Sequence, residues 1–226
     1  LADRDRQSWW DVPVTILIAI GVVLLITTFL VKPFSIPSGS MENTLGIGNR
    51  VLVNRMVYRT RPIERGDIIV FDGTDSFVPA GDAPERNPFS AAIAWVGQSF
   101  GLVAPDSTDF IKRVIGVGGD HVQCCDVQGR ITVNGIPLNE TSYLYPGDVP
   151  SMQTFDVVVP EGSLWVMGDH RSDSADSRSH MGDPGGGYVP ESRVVGRAMM
   201  VLWPLTSLRI LPIPETFAKV PAPAGS

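Results

Sequence analysis

Metal chemistry has little to work with in this sequence. Three histidines (His121, His170 and His180) and two cysteines occur among 226 residues, and none falls in an H-E-x-x-H or C-x-x-C spacing. The acidic stretch at 173–176 lacks the glycine and closing glutamate of a calcium loop, so no metal or other cofactor is expected. No run of Lys and Arg could track phosphates and the formal net charge is -6, which excludes a nucleic-acid partner. The glycines of GVGGD (116–120) and DPGGGY (183–188) do not make a G-x-G-x-x-G between strand and helix, and they read as turns. No repeat of fixed period is present.

The two cysteines, Cys124 and Cys125, are neighbours. Across a trans peptide their α-carbons stand about 3.8 Å apart, short of the usual disulfide range, so two ordinary thiols are expected. A bonded ring outside the cytoplasm and a thiol nucleophile paired with His121 are the alternatives.

Against these scarcities stands one long apolar run. Residues 12–31 read VPVTILIAIGVVLLITTFLV without a charge, enough at the helical rise to span a hydrocarbon core of about 30 Å. A cleavable leader would end in small residues, whereas Lys32, Pro33 and Phe34 follow, so the segment is expected to be a retained transmembrane helix with Trp9 and Trp10 at one interface. Basic residues on both flanks leave its orientation open.

Beyond it, short apolar runs are punctuated by Gly, Pro and Asp. Strands are expected at 50–53, 66–71, 109–117, 131–138, 153–160, 163–168 and 194–203, with Asn134-Gly135 forming a type I′ hairpin turn. The expected architecture is mainly β. A flank at 1–11 and the transmembrane segment at 12–31 precede one β domain at 32–211, which contains a small β subdomain at 121–162. A Pro- and Ala-rich tail at 212–226 closes the chain, disordered at its end. One interruption is an amphipathic helix at 88–102, with Asn87 as N-cap and Pro88 in the first turn, expected to pack on its own sheet.

PSGSM (37–41) poses the chemical question, since a Pro-Ser-Gly stretch is by itself an ordinary turn. If Ser40 were a nucleophile it would need a base. His170, beside Asp169 and Asp173, is one candidate; the other is a lysine held neutral near pH 7. The latter lies far below the ordinary lysine pKa of about 10.4, a shift costing about 4 kcal/mol that apolar burial can supply. In DFIKRVIGV (109–117), alternation puts Lys112 on one face with Phe110 and Val114, and Asp109 and Arg113 on the other. Lys32 sits at the membrane edge and Lys219 in the tail, so Lys112 is the lysine with apolar strand neighbours.

PSGSM, GDIIVF (66–71), DFIKRVIGVGGD (109–120) and GDHRSDSADSR (168–178), in that order behind one apolar helix, resemble bacterial type I signal peptidases. The resemblance runs from about residue 33 to 205. It implies a signal-peptidase-like β catalytic domain, anchored by a single pass in the plasma membrane with its catalytic side extracytoplasmic, that removes signal peptides from exported preproteins after small-residue A-x-A-like motifs. It further implies Ser40 as nucleophile and Lys112 as general base of a Ser-Lys dyad. Ser38, with the Ser40 N–H, would form the oxyanion hole. Ser174 would orient the lysine, Asp176 and Arg178 would be a supporting pair, and Ile36, Pro37, Met41, Leu45, Phe110 and Ile111 would line shallow substrate pockets. The partners implied are signal peptides and the lipid bilayer.

Three departures stand out. His170 occupies a position where many members carry Asn, a long segment is inserted between Phe71 and Asp109, and the second β subdomain is short. Two other classes fit parts of the pattern. A self-cleaving repressor shares the chemistry but not the membrane helix, and a non-enzymatic anchored β domain would leave Lys112 titrating normally. A penicillin-binding enzyme places its serine and lysine three apart on a helix, unlike Ser40 and Lys112.

Overall fold

A computed structural model describes residues 11–74, 76–78 and 108–223. The N-terminal apolar segment forms helix α1 (Asp11–Phe29). Among the described residues no helix is long and apolar enough to cross a membrane. The helix stops short of the expected residue 31 because Val31 already belongs to strand β1 (Val31–Ser35), where Pro33 could not continue a helix. β1 pairs along its whole length with β2 (Arg50–Asn54), from Val31 opposite Asn54 to Ser35 opposite Arg50. Pro33 is tolerated because β1 is an edge strand.

The remaining strands are β3 (Ile68–Asp72), β4 (Asp109–Gly116), β5 (His121–Cys124), β6 (Ile131–Val133), β7 (Ile136–Pro137), β8 (Phe155–Val158), β9 (Ser163–Met167), β10 (Val189–Pro190), β11 (Val194–Trp203) and β12 (Arg209–Ile210). The architecture is mainly β. The larger sheet runs β1-β2-β11-β3-β4-β9-β10, with β12 added to β11, and the smaller runs β7-β6-β5-β8. All named pairings are antiparallel. Asn134 and Gly135 both take positive φ between β6 and β7, as the I′ turn requires.

Alternation explains how one strand serves two cores. Ile68 and Val70 of β3 pack with Phe34, Val51, Val53 and Ile111, whereas Ile69 and Phe71 pack with Val114, Leu164 and Val166. The Phe71 and Phe110 rings stack where β3 and β4 pair. A third cluster, built on Ile115, Val122, Ile131, Val133, Trp165 and Met167, joins the smaller sheet to the larger.

Two expectations change. Cys124 and Cys125 are disulfide-bonded rather than free; the peptide between them is cis, which brings the α-carbons to 3.0 Å instead of the trans spacing assumed from sequence. The segment from Pro212, expected as a Pro- and Ala-rich tail, is packed on the domain as far as residue 223. Phe217 and Val220 are buried against the smaller sheet's core, and the Asn139 N–H donates to Thr216 Oγ1 at 2.7 Å. Its prolines concealed apolar side chains that need cover. The amphipathic helix expected at 88–102 and the last residues, 224–226, lie outside the described residues.

Candidate active site

Ser40 opens a helical turn. The Glu42 N–H donates to the Gly39 carbonyl at 2.8 Å and the Leu45 N–H to the Met41 carbonyl at 2.6 Å. The loop is closed at its base by Ile36 N–H on the Asn49 carbonyl and Gly48 N–H on the Ile36 carbonyl, both 2.9 Å. Met41 and Leu45, four apart, fall on one side of the turn and are fully buried in the core. Ser38 and Pro37 are left exposed.

Strand β4 brings Lys112 to this turn from 72 residues away: its Nζ lies 2.6 Å from Ser40 Oγ, and both residues are buried. Burial pushes the Lys112 pKa down to about 8, and the nearby carboxylates of Asp176, Asp169 and Asp173 oppose the shift without cancelling it.

The chain after β9 pins the turn from the other side. The His170 N–H donates to the Ser40 carbonyl at 3.1 Å. Gly168 makes that approach possible, because a Cβ there would lie 2.4 Å from the Ser40 carbonyl oxygen and 2.3 Å from Ser174 Oγ. Three buried Arg-carboxylate pairs fix the segment. Arg113 holds Asp169 at 2.8 and 2.7 Å, and Arg178 holds Asp176 at 2.8 Å through both nitrogens of its fork. Arg171 holds Glu140 at 2.5 and 3.2 Å. Asp176 also accepts the Gly168 N–H at 3.0 Å, and Thr44, on the Ser40 turn, donates its hydroxyl to Asp169. Burial works against the Asp176 carboxylate, but Arg178 and the Gly168 N–H outweigh it and hold the carboxyl below its usual range.

The structure thus brings Ser40, Lys112, Asp176 and Arg178 together. Ser174 Oγ is also buried nearby and helps to hold the Asp176 carboxyl low, yet among the described residues it has no well-formed hydrogen bond, to Lys112 or to any other group. Of the expected pocket residues, Met41 and Leu45 have no exposed surface, and Ile36 and Ile111 are nearly as deep. They back the turn, while Pro37 and Phe110 keep accessible surface. Arg113, Thr44, Glu140 and Gly168 were not anticipated, and Asp169 was read only as a neighbour of His170. The signal for them was an arginine next to the lysine on an otherwise apolar strand, and a Gly-Asp pair at the end of β9. His121 pairs with Asp156 on the surface, and His180 stacks on Phe77 with ring centroids 4.2 Å apart. A cavity of about 720 Å³ opens behind the turn between Asn43, Thr44, Tyr143, Leu211 and Thr216, and neither Ser40 nor Lys112 lines it.

The family model "Signal peptidase, peptidase S26" matches residues 9–203. A probable signal peptidase I of Mycobacterium leprae is 39% identical over 228 residues, covering 89% of this chain and 78% of that protein. A signal peptidase I of Mycobacterium tuberculosis is likewise 39% identical, over 88% of this chain and 74% of its own length. The crystal structure of a signal peptidase I from Enterococcus faecalis V583 covers 61% of this chain and 97% of its own at 22% identity, with a TM-score of 0.36, too loose a likeness to bear on the fold. The chain belongs to the signal peptidase family, peptidase S26, and is an enzyme of the signal peptidase I type.

Proposed function

We propose that this peptidase removes N-terminal signal peptides from exported preproteins with Ser40 as nucleophile and Lys112 as general base. The observation that carries the reading is the buried 2.6 Å contact between Lys112 Nζ and Ser40 Oγ. A lysine whose pKa falls to about 8 is neutral often enough near neutral pH to take the serine proton. The alkoxide attacks the scissile carbonyl, and the ammonium of Lys112 protonates the leaving amine. A water deprotonated by the same amine then releases the acyl group from Ser40.

Ser38, exposed one residue beyond Pro37, is free to turn its hydroxyl toward the oxyanion alongside the Ser40 N–H. Such a donor acts on charge that develops only in the transition state. Ser174 gives the protonated lysine a second acceptor once Ser40 has lost its proton. Asp176 and Arg178 act at one remove, by holding Gly168 against the Ser40 carbonyl. Pro37 and Phe110 offer surface to the substrate, with Ile36, Ile111, Met41 and Leu45 as the apolar wall behind them. Shallow pockets of this kind suit small side chains of an A-x-A-like cleavage motif.

Residues 12–31 anchor the enzyme in the plasma membrane on this reading, with the β domain on the extracytoplasmic side. The helix ends at Phe29 and Ser40 follows eleven positions later, so cleavage takes place close to the bilayer surface, where the substrate's own apolar segment ends.

The test is cleavage of a preprotein by the purified enzyme in detergent or lipid, with Ser40→Ala and Lys112→Ala beside the wild type. Cleavage after the small-residue motif that disappears in both variants supports the dyad. Cleavage retained in either variant removes it.

A further inference from the structure

Three carboxylates bear on Lys112, and they are not compensated alike. Asp169 and Asp176 are fully buried, and each is spanned by an arginine fork, that of Arg113 for the first and of Arg178 for the second. Asp173 ends the short 3-10 turn Arg171–Asp173, is exposed, and has no lysine or arginine partner among the described residues. Two close approaches set it against the nucleophile. Its Oδ2 lies 3.2 Å from where a Cβ on Gly39 would stand, one residue before Ser40. The next residue, Ser174, brings its Oγ to the point on Gly168 that the Ser40 carbonyl oxygen also approaches. The Asp173 N–H donates to the His170 carbonyl and the His170 N–H to the Ser40 carbonyl, both at 3.1 Å, so the loop that pins the turn also carries the carboxylate.

The other charges around the lysine are engaged elsewhere. On β4 itself Arg113 is held by Asp169, and in the loop after β9 Arg171 is held by Glu140. Arg178 opposes the carboxylates but is bound to Asp176. Strand β3, paired alongside, presents only apolar side chains from Ile68 to Phe71. On the nucleophile turn Glu42 Oε2 also comes within 3.5 Å of the Gly39 point, but it stands 3.5 Å from His170 Nδ1 and is not among the charges that act most on Lys112. Asp173 is among them, and it favours the protonated amine. Buried ion pairs are screened little by salt, whereas an exposed carboxylate is screened within a Debye length of about 10 Å at 0.1 M.

We infer that Asp173 is a positioning residue that acts through Lys112: its exposed, uncompensated carboxylate holds the proton on the lysine amine, so that the pH at which Ser40 gains a base depends on the salt around the protein. The inference rests on the reading of Lys112 as general base. Its sign follows from the charges. A carboxylate nearby stabilises the ammonium, so removing or screening it leaves more neutral amine at a given pH and moves the onset of cleavage to lower pH. Asp169 and Asp176 cannot serve this purpose, because their arginines already answer their charge and neither meets solvent.

The experiment follows single-turnover cleavage of a preprotein by the full chain in non-ionic detergent micelles, across about pH 5 to 10 and at about 0.02 M and 0.5 M salt. At the lower salt the wild-type rate is expected to rise through about 8. Asp173→Asn is expected to bring that midpoint down by about half a pH unit, so that near pH 7 the variant cuts about threefold faster than wild type. At the higher salt the wild-type midpoint moves toward that of the variant, and the difference between them falls by at least about half. Glu161→Gln removes an exposed carboxylate at the end of β9 opposite Gly168 and leaves the midpoint in place, which sets aside net charge as the cause. A merely structural role for Asp173 lowers the rate at every pH without moving the midpoint. An unmoved midpoint in Asp173→Asn, or a difference that salt does not reduce, overturns the inference. Should Asp173→Asn lower Tm, Asp173→Glu and Asp173→Gln are compared in the same assay, and equal midpoints there count against it as fully. A wild-type rate with no acid limb refutes Lys112 as the base, whereas a limb present in the wild type and unmoved in the variant refutes the role of Asp173 alone.

Discussion

Lys112 is the residue at which stability and the proposed chemistry oppose each other. In the unfolded chain it titrates near 10.4, and in the folded protein burial brings it to about 8. The folded state therefore binds the proton less tightly. Its cost is present in full below pH 8 and fades as pH rises toward the unfolded value. Lys112→Met is expected to raise stability by about 3 kcal/mol below pH 8, the gain shrinking toward pH 10, as denaturant titrations across that range would show. The single-turnover rate of the wild type is expected to climb with pH through about 8 and then level, and a flat rate from pH 5 to 9 with chemistry limiting would remove the neutral lysine. At Gly168 the limit is steric: Gly168→Ala pushes a methyl into the Ser40 carbonyl and the Ser174 hydroxyl, and a rate loss of about 100-fold is expected in the cleavage assay.

At the scale of elements, the paired arginines decide whether the turn and the loop meet. Asp169→Asn leaves Arg113 charged and fully buried, a loss expected at about 3 to 5 kcal/mol and readable as a fall in Tm. This element was only partly legible in the sequence. The strands could be read because alternation of apolar residues is a local property, and Asn134-Gly135 announced its hairpin for the same reason. Lys112 could be singled out from its apolar strand neighbours. Arg113 could be placed on the opposite face, but its partner lies 56 residues away, and nothing local to either residue names the other. Met41 and Leu45 illustrate a different limit. Their apolar character fits a substrate wall and a core equally well, and the side of the turn they occupy is settled only when the turn closes.

The whole molecule depends on its last described residues more than their composition suggests. Phe217 and Val220 fill the cluster that joins the smaller sheet to the larger, the Arg65 guanidinium binds Asp120 and reaches the Val220 carbonyl, and Asn134 Nδ2 donates to the Pro221 carbonyl at 3.2 Å. Phe217→Ala is expected to cost about 3 to 5 kcal/mol, with the loss visible in a thermal melt. Proline content suggested a tail because it excludes regular structure, yet prolines in an extended strap leave the intervening apolar residues free to pack.

The junction between α1 and β1 sets a scale of its own. Leu30 alone separates the helix from a strand whose five residues are all paired, and the Ser40 turn begins directly beyond that strand. With α1 as the anchor, β1 works as a ruler about 17 Å long, whose zero mark is the end of the helix. A Gly-Ser-Gly-Ser insertion after Leu30 would slip the zero mark without touching the graduations. Short soluble peptides would be cut as before, while membrane-inserted preproteins would be cut slowly or at displaced positions. On the proposed anchoring, an enzyme built on this joint has no need to search along its substrate, because both chains would be gauged from the same surface.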